Sequence, residues 1–528
     1  MRFFSSKNYK KSKWYHKYIG LMIIFPLIWM SISGILINHK ELISDYTVPN
    51  WLTPSIYNIK NFNRSAIIDF VNIDNIDIFA GKKGIFLIDN NKIDFFSNGL
   101  NSSVINRKIW DLHYLKNSKT LFAATEGGLY YIKLDRVITK ENLLKKEWKN
   151  IKLDNINKPI KKIVETDDKL FIFTDSDFFR SNKDLNFKKV TPKRDEDNHV
   201  TMIELFFHLH DGSIWGTVGK VIFDISGFLI IFLSISAFYI WFIPARLKKK
   251  QRKIKKRDKK ISDGTKLKLN KKRKLYRFFK KHHNRVGIHS FFTVIIISFT
   301  AIFMRPPLIV AITDVTLPDY IYPATRSKNS WNKRIENALY DKKRGKLLVQ
   351  CSDGIWSSNS NLKELFTKEN YLPYFIMGAS YFEEKNGDYI VGSFSGLYRF
   401  SPDNNKIYNI ISKKEVDSVS RTRPKKGQMI TAYFNYNDKQ YIATHIAGLL
   451  DTDGKMVTPF EQPKIMNEIE FPLWNWMFEL HNGRIFKGII GKWYIIFVPL
   501  LSIFFFLMLL SGIYDYIHIF KIKKRQNR

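Results

Sequence analysis

The sequence predicts a membrane protein in which a four-helix transmembrane bundle, built from a duplicated two-helix unit, carries an exported all-β, β-propeller-like domain formed by two large loops. Three observations predict it. Four apolar stretches, 18–38, 221–243, 286–304 and 493–516, each approach the roughly 20 residues that a helix needs to cross a hydrocarbon core. Two phrases occur twice, each copy leading into one of those stretches. Leu209-His210-Asp211-Gly212, closing on Gly219-Lys220, returns as Leu480-His481-Asn482-Gly483, closing on Gly491-Lys492. His16 with Gly20 and His283 with Gly287 share His-x-x-x-Gly. The third observation is a strand-turn-strand phrase that recurs in both long loops between the apolar stretches.

Taken in chain order, residues 1–38 are the N-terminal tail and first span. A cleavable signal peptide is the competing reading, but the apolar run is long, lacks a small-x-small cleavage site and is followed directly by Asn38-His39-Lys40, so a retained anchor is expected. Residues 39–215 are the first exported loop and 216–243 the second span. Residues 244–285 are a basic cytoplasmic loop, followed by the third span over 286–307. Residues 308–490 are the second exported loop, 491–517 the fourth span and 518–528 a basic tail.

Inside the loops, Phe79-Ala80-Gly81-Lys82-Lys83-Gly84-Ile85-Phe86 resembles Ala123-Ala124-Thr125-Glu126-Gly127-Gly128-Leu129-Tyr130. Further copies end in Gly354-Ile355-Trp356, Gly396-Leu397-Tyr398 and Gly448-Leu449, and a weaker one covers 170–178. Copies within a loop lie about 40–50 residues apart, the length of a four-stranded propeller blade. About three blades per loop cannot close a ring, so both loops are expected to join in one propeller of about six to eight blades. Two separate small β-sandwiches are the alternative.

The formal net charge is +38. Its location matters more than its size. The 246–285 segment is dense in Lys and Arg, and Lys7, Lys10, Lys11 and Lys13 fall on the same side of four alternating spans as Lys521, Lys523, Lys524 and Arg525. That is the positive-inside pattern, with both termini cytoplasmic and the long loops exported to the periplasm of a bacterial inner membrane. Topology and contact with anionic headgroups account for these charges. No nucleic-acid fold signature accompanies them. The single cysteine, Cys351, has no partner in the chain for an intramolecular disulfide and suits burial in a strand.

The chemistry rests on histidines. His16 and His283 enter the first and third spans from one face, while His210 and His481 precede the second and fourth on the other. A parallel repeat has its pseudo-twofold axis along the membrane normal, so equivalent histidines face each other across it. Two opposed imidazoles are the axial ligand set of a b-type haem, and two such pairs predict two haems. Gly20 and Gly287, four residues after His16 and His283, lie on the same helical face and would leave room for a flat macrocycle. His289, His39 and His208 are alternate ligands, and His518 also lies close to a span. Headgroup anchoring is the plainer role for any one of these histidines. Asp224 and Arg305 are further polar residues at membrane depth, read as interfacial anchors. Zn or Cu on imidazole is the other metal reading.

These entrance motifs, with apolar helices ending at Ser31-Ile32-Ser33-Gly34 and near Trp241, resemble the PepSY-associated transmembrane helix family. The resemblance covers the four spans and not the loops, where the family's PepSY modules would stand. It implies a dihaem membrane reductase passing electrons to a ferric siderophore, with one haem on His16 and His283 and the other on His210 and His481. The sequence has no Gly-x-Gly-x-x-Gly fingerprint after a strand, so quinol or another protein is the expected electron donor. It also lacks a Gly-x-Ser-x-Gly elbow and a His-Glu-x-x-His helix. A ferric siderophore or an exported protein is the expected partner. A non-enzymatic propeller receptor, or an accessory subunit for metal or siderophore uptake, is the competing function.

Overall fold

The computed structural model describes residues 6–526 except 90–91, 155–157, 196–198, 257–262, 314, 322–328, 370–371, 373–376, 420–423 and 426. Part of the basic segment expected over 244–285 therefore lies outside the described residues. The chain divides into two compact units. One comprises residues 1–43, 198–326 and 474–528, and the other 44–197 and 327–473.

The first unit is helical. Its main elements are α1 (Ser6–Asn38), α2 (Met202–His210), α3 (Gly216–Lys256), α4 (Asp263–His289), α5 (Phe291–Ile302), α6 (Leu473–His481) and α7 (Tyr494–Gln526). Among the described residues, three helices, Lys7–Asn38, Ser213–Lys249 and Arg484–Phe520, are long and apolar enough to cross a membrane. A fourth candidate is a bent pair, Leu267–His289 with Phe291–Ile302, at 67°. At the break, the Ser290 hydroxyl donates to the Val286 carbonyl at 2.9 Å and the Thr293 hydroxyl to the Ser290 carbonyl at 3.1 Å. Such bonds compete with the helical ladder and bend helices.

The bundle closes because α1 packs on α3 and α7, α5 on α7, and α3 on α4. Ile23, Ile230, Val294 and Phe505 meet at its centre. Phe25, Phe228 and Phe292 point outward and are exposed, as lipid-facing side chains are. Multiple apolar spans of this kind place the chain in contact with a lipid bilayer.

The duplicated glycine phrase is a tight turn between a short helix and a long one. Gly212 sits at φ +78° between α2 and α3, and a Cβ on Gly219 would lie 2.1 Å from the Gly212 carbonyl oxygen. Its counterpart Gly483 sits at φ +73°. No side chain larger than hydrogen fits the Gly219 approach in the first half, whereas at Gly483 and Gly491 in the second half positive φ is the demand that glycine meets.

The second unit is all β. Its antiparallel sheets run over 69–95, 109–151, 160–190, 335–369, 379–416 and 430–451, and within each the strands pair in sequence order. The first strand of each sheet neighbours the first strand of the next, and that of the last sheet returns to that of the first. Side chains fasten this circuit. The Leu112 amide donates to Asp69 Oδ2 at 2.6 Å, the Ile163 amide to Asp111 Oδ2 at 2.9 Å, and Asn337 Nδ2 to the Ala379 carbonyl at 3.0 Å. Ser380 Oγ donates to the Ile430 carbonyl at 2.5 Å and Thr431 Oγ1 to the Ile67 carbonyl at 3.0 Å.

Lys162 Nζ lies 2.5 Å from Asp111 Oδ1. Burial, with the Asp111 charge adding to it, pushes the Asp69 carboxyl well above the usual carboxylate range. Attraction to Asp111, Asp69 and Glu383 outweighs burial at Lys162 and raises its ammonium above the ordinary lysine value. These are ties between sheets, and their carboxylate oxygens are occupied.

The recurring loop phrase also has a backbone cause. Gly84, Gly128, Gly354, Gly396 and Gly448 open the strand after a tight turn with φ between +90° and +145°, a region that L side chains avoid. Cys351 is buried at the end of strand Lys346–Cys351.

Candidate functional site

The helical unit places the four sequence-selected histidines in two facing pairs. The His16 and His283 ring centres lie 6.4 Å apart with planes at 83°, and those of His210 and His481 lie 6.2 Å apart at 65°. Each pair joins elements from both halves of the duplication: α1 with α4, and α2 with α6.

In every one of the four, Nδ1 is engaged. His283 Nδ1–H donates to Ser236 Oγ at 2.8 Å, and Ser236 itself donates to the Leu233 carbonyl at 2.9 Å. His210 Nδ1–H donates to Thr300 Oγ1 at 3.0 Å, and Thr300 donates to the Ile296 carbonyl at 2.8 Å. His481 Nδ1–H donates to the Met30 carbonyl and to Ser33 Oγ, both at 3.0 Å, while Ser33 donates to the Trp29 carbonyl at 2.8 Å. His16 Nδ1–H donates to the Met508 carbonyl at 3.1 Å, with Ser511 Oγ at 3.4 Å. Ser511 donates to that same carbonyl at 2.7 Å.

The chemistry of the arrangement follows. A hydroxyl on a helix gives its hydrogen to a carbonyl one turn back, so it meets the imidazole with a lone pair and holds the proton on Nδ1. Nε2 is then the unprotonated nitrogen, the form in which imidazole binds a metal. Two metal–imidazole bonds of about 2 Å, plus about 1.1 Å from each nitrogen to its ring's centre, span about 6.2 Å. Both pairs therefore have the separation of two imidazoles sharing one ion. The second coordination requirement is space. A Cβ on Gly512 would stand 3.0 Å from His16 Cε1, and one on Gly34 would stand 3.2 Å from His481 Cε1.

The glycines chosen from sequence, Gly20 and Gly287, have side chains of neighbouring helices as their nearest contacts. A Cβ on Gly20 would meet Met508 Sδ at 3.3 Å, and one on Gly287 would meet Leu233 at 3.9 Å. Both stand at helix–helix contacts rather than against a histidine. Gly34, Gly512 and the four hydroxyls were not named as site residues from sequence, although Ser33-Gly34 stands in the phrase that carries the family resemblance. One signal was present: the offset between Ser33 and Thr300 equals that between His16 and His283, so those two hydroxyls belong to the duplicated unit.

The alternates lie elsewhere. His39 Nε2 pairs with Asp224 Oδ2 at 2.8 Å, and Asn38 Nδ2 donates to Asp224 Oδ1 at 2.9 Å. His289 is exposed beside the bend. His208 is half-buried on α2. His518 stacks on Tyr9 at 4.5 Å. Arg305 lies over the Tyr494 ring at 5.6 Å. Among the described residues, no group of three or more His, Cys, Asp or Glu is placed to hold a metal ion.

Apolar spans, paired histidines and a large all-β unit define a multi-pass membrane protein with a β-rich domain. The family model described as the PepSY-associated TM region matches residues 248–518, and the chain belongs to that family. No curated protein matches it. Among solved structures, it is similar to the extracellular domain of a one-component system of B. thetaiotaomicron, at 11% identity and TM-score 0.29, over 73% of this chain and 38% of that one. It is also similar to a hybrid two-component system domain of the same organism, at 10% identity and TM-score 0.31, over 77% and 39%. PorZ, a surface component of the type-IX secretion system of Porphyromonas gingivalis, matches at 10% identity and TM-score 0.21, over 77% and 41%. The chain thus spans about two fifths of the length of these chains.

Proposed function

We propose that this protein is a haem-b electron-transfer protein of the bacterial inner membrane that reduces an acceptor on the exported side. One observation carries the reading: four histidines in two facing pairs, each with Nδ1 held and Nε2 left as the donor. Each pair supplies only two protein ligands, fewer than the three or four of zinc sites. A haem b, which carries nitrogen donors of its own, would be held by His16 with His283 and by His210 with His481. When bound, it supplies one-electron chemistry at a potential set by its axial ligands and their hydrogen bonds.

The chain's own residues do the positioning. Ser236, Thr300, Ser33 and the Met508 carbonyl fix the tautomer and the ring direction. Gly34 and Gly512 let the rings of His481 and His16 pack against their helices, where a Cβ would press on Cε1. Along α1, the stretch from His16 to Ser33 covers about 26 Å at a rise of about 1.5 Å per residue. That nearly matches the roughly 30 Å hydrocarbon core, so the two pairs stand near opposite membrane faces, as a transmembrane conduit requires.

The positive-inside pattern puts His16 and His283 on the cytoplasmic side, where quinol or another protein donates electrons, with both termini in the cytoplasm. His210 and His481 then face the periplasm. The acceptor read from the family resemblance is ferric iron in a siderophore or chelate, making the protein a ferric-chelate reductase. The circuit of six sheets supports reading the β unit as a six-bladed propeller, three blades from each loop.

The test is the absorption spectrum of the detergent-purified full-length protein, oxidised and dithionite-reduced, with haem counted per chain. A sharp reduced α-band and about two haems per chain are expected. Absence of haem after expression with ample haem supply refutes the proposal and favours a propeller receptor.

A further inference from the structure

Where the apolar part of α3 ends, the chain builds a second site that does not involve the histidines. Ile243 is the last residue of an unbroken hydrophobic run, and the sequence turns basic at Arg246. Here α4 packs back along α3, with Tyr239 and Phe279 ring centres 4.8 Å apart. Beyond that contact, the two helices enclose a groove of about 510 Å³, within the roughly 300–1,000 Å³ range of small-molecule sites.

Its composition divides by depth. Ile243, Leu247 and Leu269 supply apolar surface, and Ile243 and Leu269 are buried. The cations come from both helices, Arg246 and Lys249 from α3 and Lys268, Lys271 and Lys272 from α4. No carboxylate lines it among the described residues. Arg246 is held over the Phe242 ring at 4.2 Å, which orders its guanidinium at the rim.

We infer that this groove seats the headgroup of an anionic phospholipid. Three features favour a lipid over a soluble anion. The groove lies at the end of the bilayer-crossing run, where phosphates of the leaflet stand. Its cations converge from two helices, as a phosphodiester requires. Its lining includes Ile243, Leu247 and Leu269, so the acyl carbons next to a lipid headgroup would meet apolar side chains, whereas a free phosphate would leave that surface wet. The lipid would tie α3 to the helix that carries His283, although the inference does not depend on any cofactor there.

Native mass spectrometry of the full-length protein, exchanged into detergent with either phosphatidylglycerol or phosphatidylcholine, tests it. The expected result is retained phosphatidylglycerol at lower lipid concentration than phosphatidylcholine, by at least roughly tenfold. Replacing Arg246, Lys249, Lys268 and Lys272 by Gln should abolish that preference. The charge-preserving pair Lys249→Arg and Lys268→Arg should retain it, which separates lost binding from lost folding. Neutralising Lys7, Lys10, Lys11 and Lys13 instead should leave the preference intact. Equal loss from that N-terminal set, equal retention of both lipids, or full displacement of phosphatidylglycerol by millimolar inorganic phosphate would each overturn the inference.

Discussion

The sharpest test of the paired-histidine reading is steric, because two glycines distinguished by the structure give opposite outcomes. Gly512 has its absent Cβ 3.0 Å from His16 Cε1 and 3.2 Å from Nδ1. Carbon atoms rest at about 3.5–4.0 Å, so Gly512→Ala pushes the ring by about half an ångström. The Nδ1 bond to the Met508 carbonyl resists that motion. A bond to metal cannot stretch by so much, and overpacking of this kind costs about 1–3 kcal/mol. At about 1.4 kcal/mol per decade, haem affinity at the His16–His283 pair should fall roughly 5- to 150-fold, and Gly512→Val should abolish it. Gly20→Ala is the control. Its Cβ meets the flexible thioether of Met508 at 3.3 Å, which can swing aside. Haem titration of the full-length variants, followed by absorbance with size-exclusion profiles as a folding check, reads the result. One haem lost in Gly512→Val and two kept in Gly20→Ala is expected. Two kept in Gly512→Val, or one lost in Gly20→Ala alone, would refute the placement.

Removing the hydroxyls Ser33 and Thr300 together by Ala substitution should weaken haem retention at the His210–His481 pair by roughly 10- to 100-fold, the range for partners behind a metal-binding imidazole; the hydroxyl-keeping pair Ser33→Thr with Thr300→Ser should retain it, and unchanged spectra in the Ala variant would sink the tautomer argument. In the β unit, burial raises the Glu336 carboxyl to about 7, so its contribution to stability is complete below about pH 4.5 and is lost as pH rises through about 7. Protection of the 335–351 amides, taken relative to their intrinsic exchange rates, should therefore fall between about pH 4.5 and 7 and lose that dependence in Glu336→Gln; an identical protection profile in the variant contradicts the assignment. Asp111→Ala leaves Lys162 buried without its 2.5 Å partner and removes the acceptor of the Ile163 amide, a loss on the order of 3–5 kcal/mol. A thermal transition of the β unit shifted by less than a few degrees would show that the tie is dispensable. Gly219→Ala would place a Cβ 2.1 Å from the Gly212 carbonyl and should prevent the α2–α3 turn, read as loss of monodisperse protein.

The legible parts of this molecule are those written in local patterns. Span-length apolar runs declare themselves because a helix in lipid must be apolar over about 20 residues. The loop phrase was visible because its glycines sit at positive φ, a demand that each turn makes by itself. The facing of His16 with His283 could be anticipated because a duplicated unit carries equivalent residues to equivalent places. Gly20 shows where this reasoning ends. Helical spacing put it on the histidine's face, yet what stands across from that face is Met508 of another helix. The bend at Ser290 is similar: Ser, Thr and apolar residues continue through it, and only the tertiary structure, with its 67° angle, reveals the break.

The membrane-crossing character of the helices and the presence of a large β region follow from the amino-acid sequence alone, since each depends on composition and periodicity along a continuous stretch, and the family resemblance rests on the entrance motifs. Tertiary structure decided which hydroxyl faces which imidazole, which glycines border the rings, how the six sheets follow one another around their circuit, and that five cations from two helices converge on one groove. Those are relations between residues far apart in the chain, set by helix rotation and strand packing, and no local pattern encodes the direction in which a side chain meets its distant neighbour.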